Sequence, residues 1–365
     1  MSDFSKFDRA CMSRALELAA QGAWTARPNP MVGCVIARDG VVLGEGHHVR
    51  AGEAHAEINA LGEAGDASGA TAYVTLEPCN HHGRTEPCTE ALVAAGIAAV
   101  VFAMRDPNPG VDGGGRDRLR EAGIVVREGL MADEARELNA GFVSRVTRGR
   151  PWVRVKVAAS LDGATAMRSG ASQWITGPEA RADVHRLRAA SGAVLTGIGT
   201  VVADDPSLTA RDVPTATGWE QPLRAIVDTN LRMPLSARML CLPGKTVVYC
   251  LQDENREALE SEGAEVVRIG GNGPRVALDK VLEDLARREI NDLLVEAGPV
   301  LAGSLLVAGL VDELVIYQAP HIMGSETRRM FATPGWQELS DRLELQVLDS
   351  RPVGADTRLT ARIRK

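Results

Sequence analysis

His55-Ala56-Glu57, then Glu77-Pro78-Cys79, then Cys88 bring together side chains that could do metal chemistry. One imidazole and two thiolates close three corners of a tetrahedral zinc site and leave the fourth for water. Two thiolates cancel the ion's charge, so that water is acidified less than it would be among three imidazoles. A general base must then take its proton. Glu57, two residues after His55 and too close in sequence to be expected as a further ligand, is the expected base. Water attacking an amino-bearing carbon, with Glu57 returning protons to the ring nitrogen and the departing ammonia, is the reaction such a set supports. A closed structural zinc site is the alternative, with His81 or His82 as fourth ligand; it leaves Glu57 and the Pro78-Cys79 pair without a purpose.

The elements that must position these groups follow from periodicity. Phe4, Phe7, Cys11, Ala15 and Leu18 recur at spacings of three and four, an amphipathic helix closed by Gly22. Residues 32–37 and 41–44 are apolar runs joined through Asp39-Gly40, a hairpin signal. A helix is expected from near His55 through Leu61, a strand over 71–76, and a helix led by Pro87 and running past Leu92. Residues 99–104 read as a strand, 116–122 as a helix and 124–127 as a last strand. The order β-β-α-β-α-β-α-β after the first helix predicts a mixed sheet covered by helices.

Residues 145–151 are polar and basic without apolar periodicity, which sets a domain boundary there and gives domains 1–147 and 148–365. The second half again alternates, with strands expected over 152–158, 193–196, 225–227, 246–249, 293–296 and 314–318. Helices are expected over 179–190, 255–263, 278–287 and 301–308. It reads as a second α/β domain.

Composition bounds the function classes. At 365 residues the chain is too long for one typical core. Hydrophobic residues at 45% and charged residues at 24% are ordinary for a globular protein, and the net charge of −7 argues against a nucleic-acid partner. The amino terminus lacks a basic stretch followed by an apolar core, and no apolar run reaches membrane-spanning length, so neither export nor a membrane partner is expected. Six cysteines are few and fit a reducing cytoplasm. Cys11, Cys34, Cys241 and Cys250 sit singly and read as small buried hydrophobes.

In the second half no G-x-G-x-x-G follows a strand, so the Rossmann fingerprint is absent. Gly197-Ile198-Gly199-Thr200 and the stretch 298–303 each follow an expected strand, and two such glycine turns in one sheet favour a nucleotide crevice. Lys156 and Glu296 are charges among apolar strand neighbours; with Asp204 they could bind sugar hydroxyls and support protonation at a ribose.

H-x-E followed by P-C-x-x-C is the pattern of zinc deaminases that act on bases; here eight residues rather than two separate the cysteines. With that insertion, the runs from Pro28 to Val35, His55 to Glu57, Thr75 to Thr85 and Asp106 to Pro109 resemble the bifunctional deaminase–reductases of riboflavin biosynthesis. So do Ser160-Leu161-Asp162-Gly163, the runs from Ser172 to Thr176, Gly197 to Thr200 and Ala203 to Thr209, and Val295-Glu296-Ala297-Gly298-Pro299. One departure is Glu86, where the family usually carries a second proline.

The resemblance implies a cytidine-deaminase-like first domain and a dihydrofolate-reductase-like second domain, working in succession on a phosphorylated pyrimidine with zinc and NADPH. It implies His55, Cys79 and Cys88 as zinc ligands and Glu57 as the deaminase acid/base, with Asn29, His48 and Arg84 holding substrate. In the reductase half it implies Lys156, Asp204 and Glu296 at the reaction centre. Ser172, Arg188, Leu208, Arg211 and Glu296 would meet substrate, Arg188 and Arg211 being suited to its phosphate. Ala158, Trp174, Thr200, Asp204 and the loop Gly298, Pro299, Val300, Leu301, Ala302, Gly303 and Ser304 would meet cofactor. A cytoplasmic homo-oligomer is expected. A nucleic-acid base editor and a zinc-stabilised binding protein are the competing readings; the acidic balance opposes the first and the presence of Glu57 the second.

Overall fold

A computed structural model describes residues 4–80, 86–108, 114–213, 219–270 and 273–364. The chain divides into two compact units, Met1–Gly149 and Arg150–Lys365.

In the first unit, Ser5 and Asp8 form a reciprocal cap that starts α1 (Lys6–Ala20), and a short 3-10 turn containing Gly22 follows it. The strands β1 (Gly33–Arg38) and β2 (Val41–His47) are antiparallel, and both residues of the turn between them, Asp39 and Gly40, have positive φ, as a tight hairpin requires. Then come α2 (Ala56–Ala64), β3 (Thr71–Leu76), α3 (Cys88–Ala94), β4 (Ala99–Met104), α4 (Gly114–Glu121), β5 (Val125–Glu128), α5 (Ala132–Leu138) and α6 (Ala140–Arg148). The sheet order is β2-β1-β3-β4-β5, with β3, β4 and β5 parallel. Ala56, Ala60, Leu92 and Leu119 pack on one face of the sheet, and Met12, Ala15 and Ala135 on the other. A Cβ on Gly46 would lie 2.5 Å from the Ala56 carbonyl oxygen, so glycine there lets α2 settle directly on β2.

The polar stretch 145–151, in which the boundary was expected, is helical through Arg148. Gly141, Phe142 and Ser144 anchor α6, Arg145 and Arg148 suit its negative carboxy-terminal end, and Gly149 at φ 65 stops it.

The second unit contains β6 (Trp152–Ser160), β7 (Ala164–Ala166), α7 (Pro178–Ala190), β8 (Ala193–Gly197), α8 (Ile198–Asp204), β9 (Leu223–Val227) and β10 (Thr246–Cys250). It continues with α9 (Arg256–Ser261), β11 (Ala264–Arg268), α10 (Leu278–Arg287), β12 (Asp292–Val295), α11 (Pro299–Val307), β13 (Glu313–Ala319), β14 (Arg328–Arg329), β15 (Leu345–Val353) and β16 (Asp356–Ile363). Nine strands run in the order β11-β10-β9-β8-β12-β6-β13-β16-β15. The seven from β11 to β13 are parallel, and β16 and β15 close the edge as an antiparallel hairpin.

From β8 the chain leaves through α8 toward β9, and Ile198 and Val201 pack on one face. From the adjacent β12 it leaves through α11 toward β13, and Ala302 and Leu305 pack on the other. The carboxyl ends of β8 and β12 therefore flank a topological switch point, where open α/β sheets form a ligand crevice. Among the described residues no helix is long and apolar enough to cross a membrane. Cys11, Cys34 and Cys250 are buried as expected, whereas Cys241, in an outer 3-10 turn, is exposed.

Candidate active sites

Three ligand atoms converge in the first unit. His55 Nδ1, Cys79 Sγ and Cys88 Sγ all lie within 4.8 Å of one another, with the imidazole nitrogen 3.2 Å from Cys88 Sγ and 3.5 Å from Cys79 Sγ. Metal–ligand bonds of about 2.0 and 2.3 Å give a tetrahedron with edges of roughly 3.5 Å, so this triangle fits zinc in both size and donor type. The fold explains the convergence. His55 is the N-cap of α2, Cys79 follows β3, and Cys88 is the first residue of α3, whose backbone N–H donates to Cys79 Sγ at 3.4 Å. Helix starts favour thiolate.

The hydrogen bond from Cys88 holds the Cys79 thiol well below its ordinary range against burial, with His55 adding to the effect. Cys88 is raised by the same bond and by burial, and the hydrogen bond to Cys79 raises His55.

Glu57, in the first turn of α2, is 3% exposed and shares a hydrogen bond with the Cys88 thiol. Burial, then the charge of Cys79, pushes its carboxyl up to about 7. A carboxyl at that value can both take and give a proton near neutral pH.

Beside this cluster, Asn29 Nδ2 lies 3.0 Å from His48 Nε2, and His48 Nδ1 lies 3.1 Å from the Ala54 carbonyl oxygen. Burial keeps His48 below its ordinary pKa. A carbonyl can only accept, so Nδ1 carries the proton, Nε2 accepts from the Asn29 amide, and Asn29 Oδ1 is the acceptor left for a ligand. The two histidine rings stand edge to face at 5.3 Å. Arg84, His81 and His82 lie outside the described residues.

Sequence reading missed Glu77 as an organiser. Its buried carboxylate accepts the backbone N–H of Arg116 at 2.9 Å and of Asp106 at 3.4 Å, which ties the Pro78-Cys79 turn to the start of α4. The signal was present in the Glu-Pro-Cys triplet, but its partners lie at the far end of the next βα segment.

In the second unit, Lys156 of β6 and Glu296, one residue past β12, form an ion pair with Nζ 3.2 Å from Oε2. Arg188 of α7 completes the group. Its Nε and Nη2 donate to Glu296 at 2.5 and 3.0 Å, and its Nη1 donates to the Thr209 carbonyl at 2.9 Å. The Glu296 side chain is only 9% exposed. Burial raises its carboxyl, but Arg188 and Lys156 together outweigh burial and bring it to about 2. His185, one turn earlier on α7, meets the same 209–211 turn: its Nδ1 is 3.2 Å from Thr209 O and 3.3 Å from Arg211 N.

Not every expected residue joins this group. Asp204 closes α8, is raised by burial and faces the charge of Arg328; among the described residues no hydrogen bond or ion pair links it to Lys156 or Glu296. The Leu208 side chain is buried in the apolar cluster with Ile198 and Val201, so only its backbone, at φ 50, is offered to a ligand. Arg211 is exposed, Ser172 and Ala158 are half-buried, and Trp174 is 71% exposed with the Arg181 guanidinium 4.7 Å from its ring centre.

Thr200 lies in the first turn of α8, and the loop from Gly298 to Ser304 opens α11, so both glycine turns flank the switch point. Within that loop Gly298 and Val300 are exposed, Pro299, Leu301 and Ser304 half-buried, and Ala302 and Gly303 buried. A Cβ on Gly303 would lie 2.2 Å from the Ala332 carbonyl oxygen, so that glycine serves packing.

Two family profiles match the chain. The cytidine and deoxycytidylate deaminase zinc-binding region matches residues 5–104, and the RibD C-terminal domain matches residues 151–359. The riboflavin biosynthesis protein RibD of Escherichia coli is 49% identical over 359 residues, covering 96% of this chain and 97% of that protein. That of Haemophilus influenzae is 42% identical over 370 residues, covering 99% and 98%. Acinetobacter baumannii RibD, form 1, is similar in structure with a TM-score of 0.92 at 44% identity, covering 99% of each chain. The diaminohydroxyphosphoribosylaminopyrimidine deaminase/5-amino-6-(5-phosphoribosylamino)uracil reductase of Thermotoga maritima gives a TM-score of 0.86 at 33% identity, covering 98% of this chain and 99% of that one.

Proposed function

Because this chain belongs to the RibD family of riboflavin biosynthesis proteins, we infer that its two units run consecutive steps on one phosphorylated pyrimidine. Residues 1–149 hydrolyse the amino group of 2,5-diamino-6-ribosylamino-4(3H)-pyrimidinone 5′-phosphate. Residues 150–365 reduce the ribosyl group of 5-amino-6-(5-phosphoribosylamino)uracil to ribityl with NADPH. The observation that carries the first step is the buried Glu57 carboxyl, hydrogen-bonded at the His55/Cys79/Cys88 triangle.

His55, Cys79 and Cys88 would hold zinc, which when bound supplies a Lewis acid at the attacking water. Glu57 takes a proton from that water and returns protons to the ring nitrogen and the departing ammonia. Asn29 and His48 hold the pyrimidine, Asn29 through its free Oδ1, and Arg84 keeps its assignment to substrate by resemblance.

For reduction, NADPH supplies hydride and the protein supplies position and charge. The crevice at the ends of β8 and β12 supports cofactor binding by Ala158, Trp174, Thr200, Asp204 and the loop from Gly298 to Ser304, with the exposed residues of that loop in direct reach. The Lys156 ammonium, fixed by Glu296, is the group suited to deliver a proton to the ribose ring oxygen as the ring opens. Arg188 gives three of its five N–H donors to Glu296 and Thr209, which holds Glu296 in place and leaves two for the substrate phosphate. Exposed Arg211 is the second guanidinium suited to the phosphate, beside Ser172 and the Leu208 backbone. A cytoplasmic homo-oligomer without nucleic-acid or membrane partners belongs to the same proposal, supported by the net charge of −7.

The test is incubation of purified protein with the diaminopyrimidinone ribosyl phosphate, with and without NADPH, and product identification by mass. The expected products are the aminouracil ribosyl compound without NADPH and the ribityl compound with it. Recovery of unchanged substrate from zinc-loaded protein would overturn the reading.

A further inference from the structure

We propose that Asn139 is a positioning residue for the deaminase pocket, its side-chain amide clamping the backbone of Met31 and thereby fixing Asn29 against His48. The proposal rests on the reading of Asn29 as a substrate-binding residue. Met31 N donates to Asn139 Oδ1 at 2.8 Å, and Asn139 Nδ2 donates to Met31 O at 2.9 Å. One planar amide thus satisfies both backbone groups of one residue, as a neighbouring strand would. Asn139 is 3% exposed and 108 residues away in sequence.

Its position makes the arrangement telling. Asn139 is the N-cap of α6, where asparagine ordinarily bonds to its own helix, yet it makes no side-chain cap hydrogen bond there. The amide serves Met31 instead. On either side of Met31 the chain is also held: Asn29 N donates to Ala26 O at 3.0 Å, and His48 N donates to Val32 O at 2.9 Å. Arg145, also on α6, donates to Pro28 O at 3.3 Å. The far end of this path is the metal cluster, because His48 Nδ1 bonds to Ala54, the residue before His55. Residues 139 and 145 lie beyond the 5–104 stretch that the deaminase profile matches, so the paired helices α5 and α6 brace a pocket built elsewhere in the unit.

Ammonia-release kinetics, zinc content and melting temperature are to be measured on the full chain for Asn139→Ala, Asn139→Asp, Asn29→Ala and the Asn29→Ala/Asn139→Ala double variant. Asn139→Asp keeps the size and the acceptor for Met31 N–H but cannot donate to Met31 O, so it remains informative where alanine impairs folding. Loss of two hydrogen bonds predicts a KM raised by ~10-fold in Asn139→Ala, with kcat within about 3-fold of wild type. Zinc should remain bound, and the double variant should match Asn29→Ala alone. Unchanged KM in both Asn139 variants while Asn29→Ala raises it would overturn the proposal, as would zinc loss or a fall in kcat without a KM effect. Unchanged KM in Asn29→Ala would instead remove the substrate-binding reading on which the proposal rests.

Discussion

Glu57 and Glu296 are both buried glutamates, and their protons answer to opposite forces. At Glu57 burial and the negative Cys79 act together, and the carboxyl rises to about 7. At Glu296 burial pushes the same way, but Arg188 and Lys156 outweigh it and the carboxyl falls to about 2. One glutamate is thus shifted toward holding its proton, and the other is a fixed negative charge. Burial alone decides neither case. The sign comes from what the fold sets beside each carboxylate: soft anionic metal ligands in the first unit, two cations in the second.

The reductase side of this contrast breaks most sharply at Lys156. Lys156→Ala leaves Glu296 paired to Arg188 but removes the ammonium assigned to proton delivery. NADPH oxidation with preformed aminouracil substrate should fall ~10²-fold or more, while ammonia release stays at the wild-type rate. Normal oxidation would remove Lys156 from the site, and an equal fall in both activities would contradict two separate reaction centres.

Glu296→Gln sharpens the contrast through stability. The folded pKa of Glu296 is depressed, so its contribution is fully present above the ordinary value of 4.5 and is lost as pH falls through about 2. That interval is worth on the order of 3 kcal/mol. Urea unfolding of the full chain should show the wild-type reductase unit losing about that much more stability than Glu296→Gln between pH 5 and pH 2. At neutral pH the variant should be the less stable protein, since Lys156 and Arg188 would face each other without an anion. Parallel pH curves for the two proteins would mean that Glu296 carries no such charge.

The same contrast separates what is legible in the sequence from what is not. The metal site was legible because its parts flank one strand, β3, and each ligand sits at a helix start or a strand exit that turn residues announce. The inner parallel strands of both sheets were also legible, since buried strands are continuous apolar runs, whereas the edge strand β11, with Glu265 and Arg268 exposed, went unseen. The Glu296 group was visible only as charges in apolar surroundings. Its partners come from β6, α7 and the end of β12, joined by a sheet register that no local pattern encodes. Arg188 was read from its charge as suited to a phosphate, and its pairing with Glu296 across the sheet had no local signal.

The hairpin of β15 and β16 went unseen because β15 is exposed on most of its length, so alternation between polar and apolar positions is lost. The basic stretch ending at Arg148 concealed α6 because its apolar anchor is little more than Phe142 and Val143. Asn139 gave no signal at all, since an asparagine before a helix is an ordinary capping choice.

Ammonia release by Glu57→Gln protein, measured beside its zinc content, tests the central claim most directly. The amide keeps the size of the side chain and cannot shuttle a proton. The expected result is stoichiometric zinc with deamination reduced ~10²-fold or more. Near-normal ammonia release from fully zinc-loaded variant would contradict the account.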